Sequence, residues 1–429
     1  MRCLLLLYFT RYNKSYFRRG NQVTEIRIEV FKANRGDCML ISCEGETTTN
    51  ILIDLGVEAT YLDCVQKRLE ELHSKGEHLD LLVLTHVDDD HIGGAKPFLK
   101  DNGGHGLSNK INVRDIWLNS YRHLAHERTS EAINQKDRNS IIRQIVLPIA
   151  TKETNITAED GTTVAGMLYK HHYPWNCAFD GQAVISGNKP ISINQEVKIT
   201  VLTPTVEQIT ALQKVWLEEI KKKFPGIKFN NDEIWDDAVF YASHYLEDEY
   251  VVDDAEPISR GSVEINEGRF SEDPSVINAS SITFILEFLN KRILFLADSP
   301  PSAVLKQLQA LYPKMSPEQP LFFDAVKVSH HGSKRNTCSE FMKQISSERF
   351  IFSASGRYGH PHMETVSRIL LNSPCETARK LYFNYETSTS KSLLRDDWME
   401  KYRYSCHFDQ EIIRIPADNA DKKGENDER

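Results

Sequence analysis

Ten residues, Thr85-His86-Val87-Asp88-Asp89-Asp90-His91-Ile92-Gly93-Gly94, constrain this chain more than any other stretch. They follow the apolar run Leu81-Leu82-Val83-Leu84, which reads as a buried strand, and Gly93-Gly94 let the backbone turn before a helix expected to begin near Ala95. His86, Asp88, Asp90 and His91 are thereby placed on a loop at a strand's carboxyl end. Imidazole and carboxylate donors together suit divalent ions such as zinc, manganese or iron. Four such donors exceed what one tetrahedral ion requires of a single loop, so the spacing predicts two adjacent ions. Asp89, flanked by donors on both sides, is expected to face solvent or to support the ligands from behind.

Further apolar runs end in polar residues along the chain. Glu29-Val30-Phe31 leads into Arg35-Gly36-Asp37-Cys38, and Ile51-Leu52-Ile53 into Asp54-Leu55-Gly56. Lys198-Ile199-Thr200-Val201-Leu202-Thr203-Pro204 and Asn278-Ala279-Ser280-Ser281-Ile282 follow, then Ile293-Leu294-Phe295-Leu296-Ala297-Asp298. Last come Val326-Lys327-Val328-Ser329-His330-His331-Gly332-Ser333 and Tyr358-Gly359-His360-Pro361-His362. In this order the segments resemble the metallo-β-lactamase superfamily, whose HxHxDH signature has a second His where Asp88 stands here. The HxDxDH form followed by Gly-Gly is similar to the β-lactamase-like domain of ComEC-type competence proteins, over about residues 25 to 370.

The resemblance implies an α/β fold, the αββα metallo-β-lactamase sandwich of two mixed β-sheets flanked by helices. It assigns His86 and Asp88 to one metal, Asp90 and His91 to the other, and Asp298 to a bridge between them. His330 is the first choice to complete the second metal's ligands, with His331 aimed at metal or substrate. From the residues alone, Asp298 before Ser299-Pro300-Pro301 also reads as a helix entry. No counterpart appears for the His that other superfamily members carry before the bridging Asp; Asn278 and Ser281 lie nearby and are poor ligands. The implied cofactors are two divalent ions, Zn2+ or Mn2+, with manganese expected to be at least as effective as zinc because Asp88 is a harder donor than an imidazole. Two such ions hold a hydroxide at neutral pH and polarise a phosphoryl or carbonyl oxygen. Asp90 or Asp298 would orient that nucleophile, His331 would face metal or substrate, and His360 or His362 would donate to a phosphate oxygen or the leaving group.

Strands are expected at 24–32, 37–43, 50–54, 80–85, near 199, and near 281–289, 292–297, 323–329 and 349–354, with helices through Tyr61 to Ser74 and after Pro301, Thr337 and Met363. Residues 23–416 form one domain, with insertions at about 119–195 and 205–275, preceded by an extension over 1–22 and followed by a disordered tail over 417–429. The second insertion opens on an amphipathic helix, Val206 to Phe224, with Ile209, Leu212, Val215, Trp216 and Ile220 on one face. His171-His172 in the first reads as a polar loop. With 40% hydrophobic and 26% charged residues among 429, the chain is that of a soluble globular protein.

No run approaches the ~18 apolar residues of a membrane span, unlike the membrane-embedded ComEC proteins. Eight scattered cysteines without a CxxC pair indicate a reducing, cytoplasmic setting. A net charge of −9 disfavours non-specific duplex binding. The reading that results is a two-metal hydrolase of phosphodiesters, with nucleic acid or a small phosphodiester as substrate and a protein partner left open. The alternatives are a hydrolase of lactones or carboxylic esters, or a non-enzymatic subunit of a larger, phage-defence-type assembly.

Overall fold

Period-two alternation sorts the strand residues into three apolar layers, and those layers define the architecture. In a computed structural model, the residues described are 23–146, 163–239, 264–408 and 412–418. The first sheet has six strands: β1 (Glu25–Val30), β2 (Met39–Glu44), β3 (Thr48–Ile53), β4 (Leu81–Val83), β5 (Ile116–Trp117) and a late strand, Ile413–Pro416. The second sheet collects β6 (Ile191–Ser192), β7 (Val197–Thr203), β8 (Thr283–Phe288) and β9 (Lys291–Phe295). After β10 (Leu321–Phe323), it continues with β11 (Ala325–Lys327) and, past β12 (Ile345–Ser347), with β13 (Arg349–Phe352), β14 (Arg379–Phe383) and β15 (Tyr404–Phe408). The late strand is β16; the order is β16-β1-β2-β3-β4-β5 in one sheet and β15-β14-β13-β11-β9-β8-β7-β6 in the other, with β10 and β12 paired apart.

Both large sheets are mixed. Pairings β16/β1, β1/β2 and β2/β3 are antiparallel and β3/β4 and β4/β5 parallel. In the second sheet β9, β11, β13, β14 and β15 run parallel, while β6 to β9 form an antiparallel meander. Ile26, Ile28, Met39, Ile41, Ile51, Ile53, Leu81 and Val83 point inward against residues of the opposite sheet such as Ile199, Phe284, Leu286, Ile293 and Phe295. The alternate residues Leu40, Leu52 and Leu82 point outward under the helix Gln66–Ser74 and the helix Ala95–Asn102. On the far side Ile285, Leu294, Val326 and Phe350 lie beneath helices Pro301–Leu311, Ser339–Lys343 and Met363–Asn372. The result is the helix–sheet–sheet–helix sandwich expected from the strand pattern.

The expected strands and helices are present with boundaries shifted by a few residues: most strands are shorter, while β3 begins two residues earlier, at Thr48. The helix expected from Tyr61 continues upstream to Glu58. Three strands beyond residue 370 were not anticipated: β14 and β15 extend the second sheet, and β16 returns to the first to pair with β1, matching Ile26 to Ile415 and Ile28 to Ile413. The expected tail begins too early at 417, because Ala417 is buried and its N–H donates to the Thr24 carbonyl at 2.9 Å. The extension 1–22 and residues 419–429 lie outside the described residues, as does 240–263 within the second insertion.

The two insertions pack on one another. Trp216, Ile220, Phe229 and Trp235 from the second share an apolar cluster with Tyr121, Leu124, Val164 and Leu168 from the first. Polar ties close the seam: Arg122 grips Asp236 through Nε at 3.1 Å and Nη2 at 2.6 Å, and the Tyr121 hydroxyl donates to the Asn230 carbonyl at 2.6 Å. The helix Val206–Lys223 is entered through a capping box between Thr205 and Gln208 and buries Ile209, Leu212, Trp216, Leu217 and Ile220. His123 and His126 serve this packing: His123 accepts from the Ser120 N–H at 3.0 Å and its ring lies 4.7 Å from that of Trp175. Burial and neighbouring Arg122 push it down to about 3, so it is neutral.

Candidate metal centre

Strand ends from both sheets converge on one cluster. β4 delivers Thr85 to His91, β3 delivers Asp54, β9 delivers Asp298, and β11 delivers His330 and His331. The chain leaves these strands through left-handed residues that are not glycine: Asp54 (φ 54), Ala297 (φ 41), His330 (φ 46) and His331 (φ 53). Such backbone is costly for L residues and persists where surrounding structure enforces it, commonly at functional sites.

Asp298 is the hub, 2% exposed. Its Oδ2 lies 3.3 Å from His91 Nε2, 3.6 Å from His330 Nε2, 3.7 Å from His331 Nε2 and 4.0 Å from His86 Nε2. His86 Nε2 stands 3.4 Å from Asp88 Oδ2, and His331 Nε2 stands 3.4 Å from Asp90 Oδ2. Ligands ~2.0–2.2 Å from a tetrahedral ion are themselves about 3.4 Å apart, so these separations are those of coordination edges. Four buried atoms of the cluster, His86 Nε2, His91 Nε2, His331 Nε2 and Asp298 Oδ1, have no hydrogen-bond partner. Buried polar atoms are normally satisfied, and several orphans aimed at one point fit a missing cation. The residues therefore fit divalent metal: His86, His91 and Asp298, and likewise Asp298, His330 and His331, bring donor atoms within 4.8 Å of one another.

All the residues expected at the site are brought together. His330 and His331 both reach Asp298, but only His331 also faces Asp90, and His331 is the more enclosed. His360 lies within 5.5 Å of the His330 ring and 6.1 Å of the His331 ring, and its buried Nε2 is also without a partner. His362 stands a step back, where its Nδ1 accepts from the Lys334 N–H at 3.2 Å. Asp89 pairs with Arg35 at 2.5 Å, the supporting position rather than the ligand one. Asn278 is turned away, donating to Asp273 at 2.8 Å.

Three carboxylates that sequence reasoning did not assign hold the imidazoles from behind. Asp54 Oδ2 binds His91 Nδ1 at 2.8 Å while accepting from the Thr85 hydroxyl, and its Oδ1 accepts from the Thr85 N–H. Asp37 Oδ1 lies 3.2 Å from His331 Nδ1, and its other oxygen accepts from the buried Lys327 ammonium. Asp273 lies 3.4 Å from His330 Nδ1, which also meets Asn336 Oδ1 at 3.0 Å. A carboxylate behind a ligand imidazole fixes its tautomer and leaves Nε2 for metal. Asp54 carried a visible signal, a lone carboxylate ending an apolar strand just as Asp298 does.

The electrostatics agree. Burial opposes the charged form of His330 and His331, yet Asp298 with Asp273 or Asp37 raises them to about 9 and about 10. His91 is likewise held well above its ordinary value against burial, by Asp298, Asp54 and Asp90. His86 goes the other way, to about 4, through burial and the neighbouring His91. Asp90 falls to about 2 despite its burial because of His91 and His331, and Asp298 falls well below the carboxylate range for the same kind of reason. Without metal the site thus holds protons where cations would sit. His360 is pushed well below its ordinary value by burial and by His330, which leaves it neutral.

Residues 32–178 match the family model described as Metallo-beta-lactamase superfamily. No curated protein matches. Two solved structures share the shape weakly: a mutant of the β-hydroxylase CmlA (9% identity, TM-score 0.33, covering 92% of this chain and 54% of that one) and a long-form RNase Z from yeast (9% identity, TM-score 0.31, covering 84% and 37%). The chain thus spans 54% and 37% of those proteins' lengths. The matched segment supplies the His86–His91 loop and the mixed sandwich supplies its partners, an arrangement consistent with a metallo-β-lactamase superfamily domain over the matched residues.

Proposed function

We propose that this protein is a two-metal-dependent phosphodiesterase, a nuclease or a close chemical relative, of the ComEC-type subgroup. The observation that carries the reading is the convergence of unpartnered buried donors on Asp298 at coordination spacing. His86, Asp88, Asp90, His91, Asp298, His331 and His330 would hold the ions, Zn2+ or Mn2+. When bound, such ions would lower the pKa of water to roughly 7 and polarise a non-bridging phosphoryl oxygen, opening the phosphorus to attack. The chain's own residues do the rest. Asp54 and Asp37 fix the ring orientation of His91 and His331, and Lys327 balances the charge of Asp37 inside the protein. His360, neutral and with Nε2 free, supplies a ring positioned to donate to a non-bridging oxygen or to the leaving group.

Arg35 pairs with Asp89 on the ligand loop, and a guanidinium beside a metal centre favours a phosphate over an uncharged ester. The seven cysteines of the described residues are all free, which supports a reducing compartment. No described helix is long and apolar enough to cross a membrane.

The test is to incubate metal-reconstituted protein with labelled single-stranded DNA, RNA, bis(p-nitrophenyl) phosphate and a panel of lactones and esters. Metal-dependent cleavage of a phosphodiester, at least as fast with manganese as with zinc, is expected. Turnover of lactones or esters alone would move the assignment to carboxylic substrates. No turnover with both ions bound would point to a subunit acting through a protein partner.

A further inference from the structure

Among the large aromatic rings exposed in the described residues, Tyr169, Phe270, Phe322 and Tyr358, only Tyr358 makes a ring contact with a histidine of the metal centre. It is 47% exposed, and its ring centroid lies 6.3 Å from that of His360, with 62° between the planes. His360 in turn lies 6.1 Å from His331, so two ring-to-ring steps separate Tyr358 from the donors around Asp298.

The surroundings of the ring are cationic rather than apolar. The Arg357 guanidinium stands 5.0 Å over the Tyr358 ring. Arg35, which pairs with Asp89, also lies within electrostatic reach of Asp90 and of the Tyr358 phenol. Tyr358 also sits at φ 57, ψ 16, a left-handed conformation that a bulky residue rarely adopts and that presents its side chain outward from the turn Arg357–Gly359.

An exposed ring beside guanidinium groups, next to a phosphate-directed site, is the combination by which proteins hold single-stranded nucleic acid without reading its sequence. We propose that Tyr358 is a specificity-determining residue, a platform on which the base adjoining the scissile phosphodiester stacks. This rests on the phosphodiesterase reading and narrows it to unpaired, base-bearing substrates. Bases in a duplex have both faces covered and cannot use the platform, which fits an overall charge of −9 that disfavours non-specific duplex binding.

The experiment measures binding and turnover on metal-loaded protein in parallel, using a labelled oligothymidine and the same oligomer with its central bases replaced by abasic spacers. Fluorescence anisotropy reads affinity for wild type, Tyr358→Ala and Tyr358→Trp, with metal content checked for each. Stacking of one base corresponds to about a 5- to 100-fold affinity advantage for oligothymidine over the abasic oligomer in wild type. That advantage should collapse in Tyr358→Ala and be kept or increased in Tyr358→Trp. Equal weakening of both oligomers by Tyr358→Ala, the absence of any base advantage in wild type, or no oligonucleotide binding at all would each overturn the proposal. Tyrosine-dependent binding without cleavage would leave the platform standing and sink the nuclease reading instead.

Discussion

Asp89 and Asp90 are neighbours in the chain with opposite placements. Asp90 turns toward His331 and His91, while Asp89 turns outward onto Arg35, a pair whose side chains are 24% and 30% exposed. An ion pair that open to solvent contributes about 0–1 kcal/mol, so Asp89→Ala should keep most activity and metal. Asp90→Ala removes a donor and should abolish hydrolysis together with one equivalent of bound metal. Rates and metal content of the two folded variants check this, and equal losses would overturn the division. The ligand loop was legible in the sequence because its donors are packed into one short run. Asp37, Asp54 and Asp273 were not assigned because each is a single carboxylate far along the chain from the imidazole it supports. Lys327 was hidden differently: inside Val326-Lys327-Val328 it passes for a strand residue, and only the fold shows its ammonium buried against Asp37.

Between elements, the closest approach at the site is made by backbone. A Cβ built on Gly36, in the loop between β1 and β2, would stand 1.5 Å from the Asp90 carbonyl oxygen, so only glycine allows this loop to lie against the metal-binding turn. Gly36→Ala should displace the Asp90 turn, at a cost of about 1–3 kcal/mol in stability and with loss of metal. Gly187→Ala, where nothing lies within 4 Å of the added carbon, is the matched control and should change neither. Denaturation midpoints and metal analysis decide it; a Gly36→Ala protein with full metal content would refute the packing argument. Strands β1 to β4, β7, β8, β9, β11 and β13 were readable because their apolar residues alternate or run unbroken, whereas the two- and three-residue strands β5, β6, β10 and β12 are too short to show a pattern. β14, β15 and β16 were not readable either, since Arg379-Lys380-Leu381-Tyr382-Phe383 and Tyr404-Ser405-Cys406-His407-Phe408 lie beyond the reach of the family resemblance and pair only at long range. The second insertion was legible as an amphipathic helix, but that its apolar face meets the first insertion could not be read from periodicity, which gives a face and not its partner.

For the molecule as a whole, metal and protons compete for the same seam between the sheets. In metal-free protein His330 and His331 are raised to about 9 and about 10. Relative to an unfolded value near 6.5, their contribution to stability is fully present below about pH 6.5 and is lost as pH rises through 9 to 10. Ions need neutral imidazoles, so apparent metal affinity should climb over that same range, with protons released on loading. Stripped protein is therefore expected to unfold at lower urea at pH 10 than at pH 6.5, while loaded protein gains about 2.7 kcal/mol once free metal reaches a hundred times its dissociation constant. Urea titrations with and without metal, and calorimetry in buffers of different ionisation enthalpy, test both; loading that releases no protons at pH 8 would contradict the electrostatics. The dispersal of the ligands along the chain also has a consequence in time. At ~5–20 residues per second a ribosome releases His86 to His91 on the order of ten seconds or more before Asp298, His330 and His331 exist, and β16 reaches β1 later still. Metal capture is then a closing event of biogenesis, and a chain stalled part-way would expose the acidic loop without the partners that let it retain a cation.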